Sequence, residues 1–169
     1  MRYVQEFKAV WLAAAIVAMT IGFATAPAVA QTSAIEGTWN LVGRDLPDGK
    51  KVMSPDIQGL MTFTKGYRNI NVLWRTPDGK WGSFSAIAAY KLSSSEYTET
   101  LQFSAFNDPA SGKGVEYIVG GGTKSSPVEK EGRVLHIQPP FDPPSWNFDG
   151  DKQTSILKGA FVDHWERVK

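Results

Sequence analysis

Side chains in this sequence able to do chemistry are few and far apart. Glu99 lies in Tyr97-Thr98-Glu99-Thr100-Leu101-Gln102-Phe103, where strand alternation would set it on one face with Leu101, Phe103 and Ala105, with Tyr97 beyond. Turned into an apolar interior, its carboxyl would have a raised pKa and could serve as proton donor, base or cation anchor. The plainer placement is a wet rim, because ionised side chains seldom stay buried without a partner. His136 or His164, if inward, could be an axial haem ligand, yet their separation gives no His-x-x-x-His metal spacing. Exposed or hydrogen-bonded strand histidines are the simpler reading of both. Asp149-Gly150-Asp151 lacks the glycine and distal glutamate of a calcium loop and reads as a turn. No Gly-x-Ser-x-Gly elbow surrounds any serine, and Glu129 and Glu131 flank a turn as solvated charges. With 0 Cys, thiol nucleophiles, disulfides and Cys-ligated zinc are excluded. The expectation is therefore no catalytic residue, no metal and no cofactor.

The elements that must hold these residues are strands. The 169-residue chain has 42% hydrophobic residues and 12% aromatics, too rich for disorder and of a length for one ordinary domain. Sixteen Gly and ten Pro are more punctuation than a helical bundle carries. Strand-like runs occupy Gly37 to Asp45, Gly59 to Thr64, Arg68 to Thr76, Ser83 to Leu92, Tyr97 to Phe106, Val115 to Gly120, Arg133 to Gln138, Thr154 to Leu157 and Gly159 to Val168. Turn signals separate them, among them Lys65-Gly66, Pro77-Asp78-Gly79 and Gly120-Gly121-Gly122. Thr123 to Lys130 reads as loop or weak edge strand. Within the runs, Ile70, Val72 and Trp74 share one face, and Phe84, Ala86, Ala88, Tyr90 and Leu92 share another. No capped helical period follows Gln31, so the expected fold is all-β, a single antiparallel up-and-down barrel of about eight or nine strands, with a sandwich as the competitor.

Residues 1–30 read as a secretory signal peptide. Arg2 and Lys8 precede the apolar run Ala9 to Phe23, and Ala28-Val29-Ala30 ends the segment in small residues. The run falls short of the roughly 20 residues a membrane span needs, so no stable membrane anchor is expected. Cleavage after Ala30 would leave one domain, 31–169, in the periplasm or secreted. The formal charge of +1 belongs to the leader, whose loss leaves equal numbers of acidic and basic side chains. Without a basic excess, the charge argues against nucleic acid and anionic lipid as partners.

The opening run Glu36-Gly37-Thr38-Trp39-Asn40-Leu41-Val42 and the closing His164-Trp165-Glu166-Arg167 resemble the ends of calycin barrels. More narrowly, Gly-Thr-Trp-x-Leu-Val, Tyr90-Lys91-Leu92 and Tyr97-Thr98-Glu99-Thr100 make the chain similar to bacterial lipocalin-like domain proteins. That resemblance implies a barrel with an interior cavity open at one end, Trp39 plugging the closed end and Arg167 packed over its ring, beside Gly37. It also implies a small, largely apolar ligand inside the barrel. The side chains that would meet this ligand are Trp74, Phe84, Tyr90, Tyr97, Glu99, Leu101 and Phe103. Small residues at Ala86, Ala88 and Ala105 would leave it space, or would merely fit the taper of a packed core. An alternative is a barrel enzyme doing acid-base chemistry through Glu99 on a small hydrophobic substrate; another is a haem carrier. The segment Gln138 to Asp149 holds four prolines and presents Phe141, Trp146 and Phe148 as a lid over the mouth, a cover for an outer seam, or a contact for another exported protein.

Overall fold

A computed structural model describes residues 34–169. The expected leader and its cleavage site lie outside the described residues. Eleven strands follow one another: β1 (Gly37–Asp45), β2 (Lys51–Val52), β3 (Ile57–Thr64), β4 (Tyr67–Arg75), β5 (Trp81–Leu92), β6 (Glu96–Asn107), β7 (Val115–Glu131), β8 (Val134–Ile137), β9 (Ser145–Asp149), β10 (Lys152–Leu157) and β11 (Phe161–Arg167). From β3 to β11 each pairs antiparallel with the next, β3 also pairs with β1, and β11 returns to β1, so ten strands close a barrel while β2 is a two-residue hairpin arm on β1. Closure removes the two outer edges that an open sheet would present.

Local chemistry explains the meander. Lys65 and Gly66 both have positive φ, 45° and 82°, and form a two-residue turn between Thr64 and its partner Tyr67. Such a turn has the twist that hairpin strands require. Strand alternation then selects the core: Trp39 and Leu41, Ile57, Met61 and Phe63, and Ile70 and Val72 are all buried from successive strands.

Closure is sealed by side chains at one end. Trp39 is fully buried, pairs in register with Met61 on one side and Arg167 on the other, and donates its indole N–H to the Ile35 carbonyl at 2.9 Å. The Arg167 guanidinium sits 4.2 Å from the Trp39 ring centroid. It also donates to the carbonyls of Glu36 and Ala34, which ties the start of the barrel to its last strand. Gly37 makes this possible, because a Cβ there would come within 2.7 Å of Arg167 Nη1.

Three expectations need correction. Gly120-Gly121-Gly122 does not reverse the chain; Gly120 and Gly122, with φ of 69° and 77°, sit in an irregularity inside the 17-residue β7, which runs on through Thr123 to Glu131. The glycines absorb extra residues without breaking the pairing to β6, as bulges do. Ser145–Asp149, inside the Pro-rich segment, is a full strand whose Trp146 and Phe148 are buried in the core. That added strand raises the closed barrel from the expected eight or nine strands to ten.

Urea unfolding checks the seal. Trp39→Ala should cost about 3–5 kcal/mol, as large buried aromatics do. Arg167→Ala should cost about 1–2 kcal/mol, since it loses a cation–π contact and hydrogen bonds. An Arg167→Ala variant as stable as the parent would show that the terminal strands do not depend on this contact.

Candidate functional site

Along its axis the barrel interior has a floor, a sealed middle and an open end. Above the Trp39 floor the middle is filled by aromatic rings. Phe63 meets Tyr90, Trp146 and Phe148 edge-on at 5.5, 5.7 and 5.8 Å, and Tyr90 stacks on Tyr97 at 5.9 Å. Tyr90, Tyr97 and Leu101 are 5%, 0% and 3% exposed, so these three expected ligand contacts are packed core.

Glu99 is not at a wet rim. It is fully buried, because Arg68, also fully buried, donates through Nη2 to Glu99 Oε1 at 2.5 Å. Arg68 starts on β4 and Glu99 on β6. The guanidinium reaches across β5 at Ala88, which pairs with Arg68 on one side and Leu101 on the other and is small enough to be crossed. A second carboxylate, Asp142, lies 2.8 Å from Arg68 Nη1. It comes from the Pro-rich connection between β8 and β9, where Gln138 Nε2 donates to the Asp142 and Pro143 carbonyls. Phe141 of the same connection packs on the core, with Lys124 Nζ 4.7 Å from its ring centroid. This segment therefore continues the wall beside β7 beyond the end of β8 and sends its carboxylate inward.

Electrostatics in this middle layer follow burial. Loss of water raises the Glu99 pKa, and Arg68 draws it partly back. Burial pushes the Tyr97 hydroxyl well above its usual range and Tyr90 to about 12. Arg68 stays charged: burial opposes its positive form, but Asp142 and Glu99 outweigh burial and raise its pKa. The cluster is shut off from solvent, so its carboxylates serve the packing of the barrel.

The opposite end is different. Trp74 lies across β5 at Gly82, where a Cβ would come within 2.3 Å of the indole, and reaches Phe106 of β6 at 6.1 Å. Phe84 meets the same Phe106 at 6.5 Å. Beside Trp74 a second ion pair faces inward, Arg44 to Asp163, bidentate at 2.5 and 2.8 Å. The Arg44 guanidinium lies 3.8 Å from the Phe161 ring centroid and 5.7 Å from that of Trp74. Burial raises the Asp163 pKa against the pull of Arg44. Strand lengths open this end: β8 meets β7 only from Val128 to Glu131, whereas β6 follows β7 up to Val115. Phe106 and Ile118 are accordingly 41% and 55% exposed although their side of the sheet is the inner one.

Phe103 is not part of this lining. An extra residue, Gln102, interrupts the register between Leu101 and Phe103. It turns Phe103 and Ala105 to the outer face, where Phe103 pairs with the exposed Ile87 and stacks on Tyr117 at 6.4 Å. His136 and His164 also face outward, bonded to Asn147 Oδ1 at 2.7 Å and Asp45 Oδ2 at 3.0 Å. Neither points into the barrel. Of the expected contacts, then, Trp74 and Phe84 come together at the open end, Tyr90, Tyr97, Glu99 and Leu101 in the sealed middle, and Phe103 outside.

Strand order, antiparallel sense and the β1–β11 junction define a closed, antiparallel up-and-down β-barrel. A solved lipocalin-like protein from Bacteroides uniformis is similar to this chain at 15% identity, covering 80% of this chain and 99% of its own, with a TM-score of 0.35. No protein-family model matches the sequence, and no curated protein matches it.

The sealed carboxylate sets a pH dependence. With its pKa raised on folding, Glu99 contributes most below its unfolded value near 4.5, and that contribution is lost as pH rises through the folded pKa. The Tm of the parent minus that of Glu99→Gln should therefore fall between pH 4.5 and neutrality. A difference that grows with pH would mean that attraction to Arg68 outweighs burial.

Proposed function

We propose that this protein binds a small, largely apolar molecule at the open end of the barrel, outside the cytoplasm. The observation that carries the reading is the partly exposed inner surface of Trp74, Phe84, Phe106 and Ile118, next to a middle layer packed with buried aromatic rings. Apolar surface left on a concave wall is what a ligand of this kind covers. The bidentate Arg44–Asp163 pair beneath it is already satisfied, and Glu116, in register with Phe106, is paired with Lys113 at 3.4 Å, so the surface selects by shape and apolarity rather than by charge. Export is supported by the leader-like order of residues 1–30. The expected ligand is thus the one the resemblance implies, moved from the middle of the barrel to its mouth.

Titration with the neutral probe N-phenyl-1-naphthylamine tests this directly. Fluorescence should rise saturably, and Trp74→Ala should weaken binding at least tenfold, about 1.4 kcal/mol. Leu101→Ala should lower stability more than affinity. Absence of saturable binding, or equal affinity in Trp74→Ala, would overturn the proposal.

A further inference from the structure

The outer wall carries a second concavity of about 590 Å³, over β1, β3, β4 and β5 and bounded by Ser54. It is separate from the mouth, because strand alternation puts Leu73 on this outer side and its neighbour Trp74 on the inner side. The polar side chains along it are amides and hydroxyls: Asn40, Gln58, Asn71, Ser83 and Ser85. No lysine, arginine, aspartate or glutamate lines it. Between them stand Leu60 and Leu73, 51% and 38% exposed.

The amides are held in place. Ser85 Oγ donates to Asn71 Oδ1 at 2.9 Å, and Asn71 Nδ2 donates to Asn69 Oδ1 at 3.0 Å, which fixes the Asn71 rotamer. Each of these groups keeps hydrogen-bonding capacity, since an amide has two donors and two acceptor lone pairs and a hydroxyl one donor and two lone pairs. Trp81 continues the outward row of Ser83 and Ser85 on β5 and is 42% exposed. Neighbouring hydroxyls on a ring need donors and acceptors in alternation, and the C–H faces between them need apolar or aromatic surface. Both are present here, and the charge beside Trp81, Arg75 at 5.9 Å from its ring centroid, is paired with Asp56 at 3.6 Å, so a charged ligand would find no free countercharge to offset its lost water.

We infer that this outer groove is a binding site for an uncharged oligosaccharide, held by the Asn71–Ser85 row and flanked by Trp81. A wall-mounted saccharide site leaves the apolar mouth free, so the two ligands would bind independently.

Amide chemical-shift titration of the protein with maltohexaose, cellohexaose and laminarihexaose tests this, with polygalacturonate as the charged counterpart. At least one neutral hexaose should give saturable shifts centred on Asn71, Ser83 and Ser85. Asn71→Ala and Trp81→Ala should each weaken it at least fivefold, with N-phenyl-1-naphthylamine binding unchanged. Ser85→Ala serves as a second, milder change in the same row. No saturable shift with any of the three hexaoses, equal affinity for polygalacturonate, or unchanged binding in Asn71→Ala and Ser85→Ala would overturn the inference.

Discussion

Pairing of β11 with β1 is the constraint on which the rest of the structure depends. It joins segments more than a hundred residues apart, and a chain without cysteine has no covalent means to bring them together. Long-range pairing carries a loop-closure cost that must be offset by burial at the junction. Trp39 and Trp165 supply that burial, and Arg167 clamps the outside of the Trp39 ring while binding the carbonyls of residues just before β1. With the seam closed, the inward side chains of ten strands face one interior, enclosed except at the open end.

Inside this closed wall, small residues decide where large ones go. Ala88 lets Arg68 cross β5 to Glu99, Gly82 lets Trp74 cross the same strand to Phe106, and Gly37 admits Arg167. A buried and a partly buried arginine are thereby matched with carboxylates from distant segments, Arg68 with Glu99 and Asp142, and Arg44 with Asp163. A buried ion pair is poor stabilisation compared with an apolar core, but removing either partner leaves an unpaired charge. These pairs therefore hold particular segments in particular places. The Asp142 contact fixes the Pro-rich connection, and that connection completes the wall where β8 is too short to do so.

Much of this was legible in residues. Gly37, Trp39 and Arg167 could be assigned from the end motifs, and alternation correctly placed Ile70, Val72, Trp74, Phe84, Ala86 and Tyr90 inward. Arg68 carries a signal in the sequence too: it shares parity with Ile70 and Val72, which puts a guanidinium on the same inner face as the carboxylate of Glu99. Asp142 carried none, because loop residues have no period. Phe103 was misplaced because parity holds only within an unbroken ladder. One extra residue at Gln102 exchanges inside for outside beyond it.

The amino-acid sequence by itself determined the all-β class, the meander, the two closing motifs and the absence of thiol chemistry, since these follow from period, turn residues and composition. The tertiary structure alone decided the number of strands in the closed ring, the pairing of buried charges and the division of the interior into sealed middle and open mouth. Those properties depend on bulges, strand lengths and contacts between segments far apart in the chain. A pattern of period two describes each strand well, but it does not state where one strand stops being covered by the next.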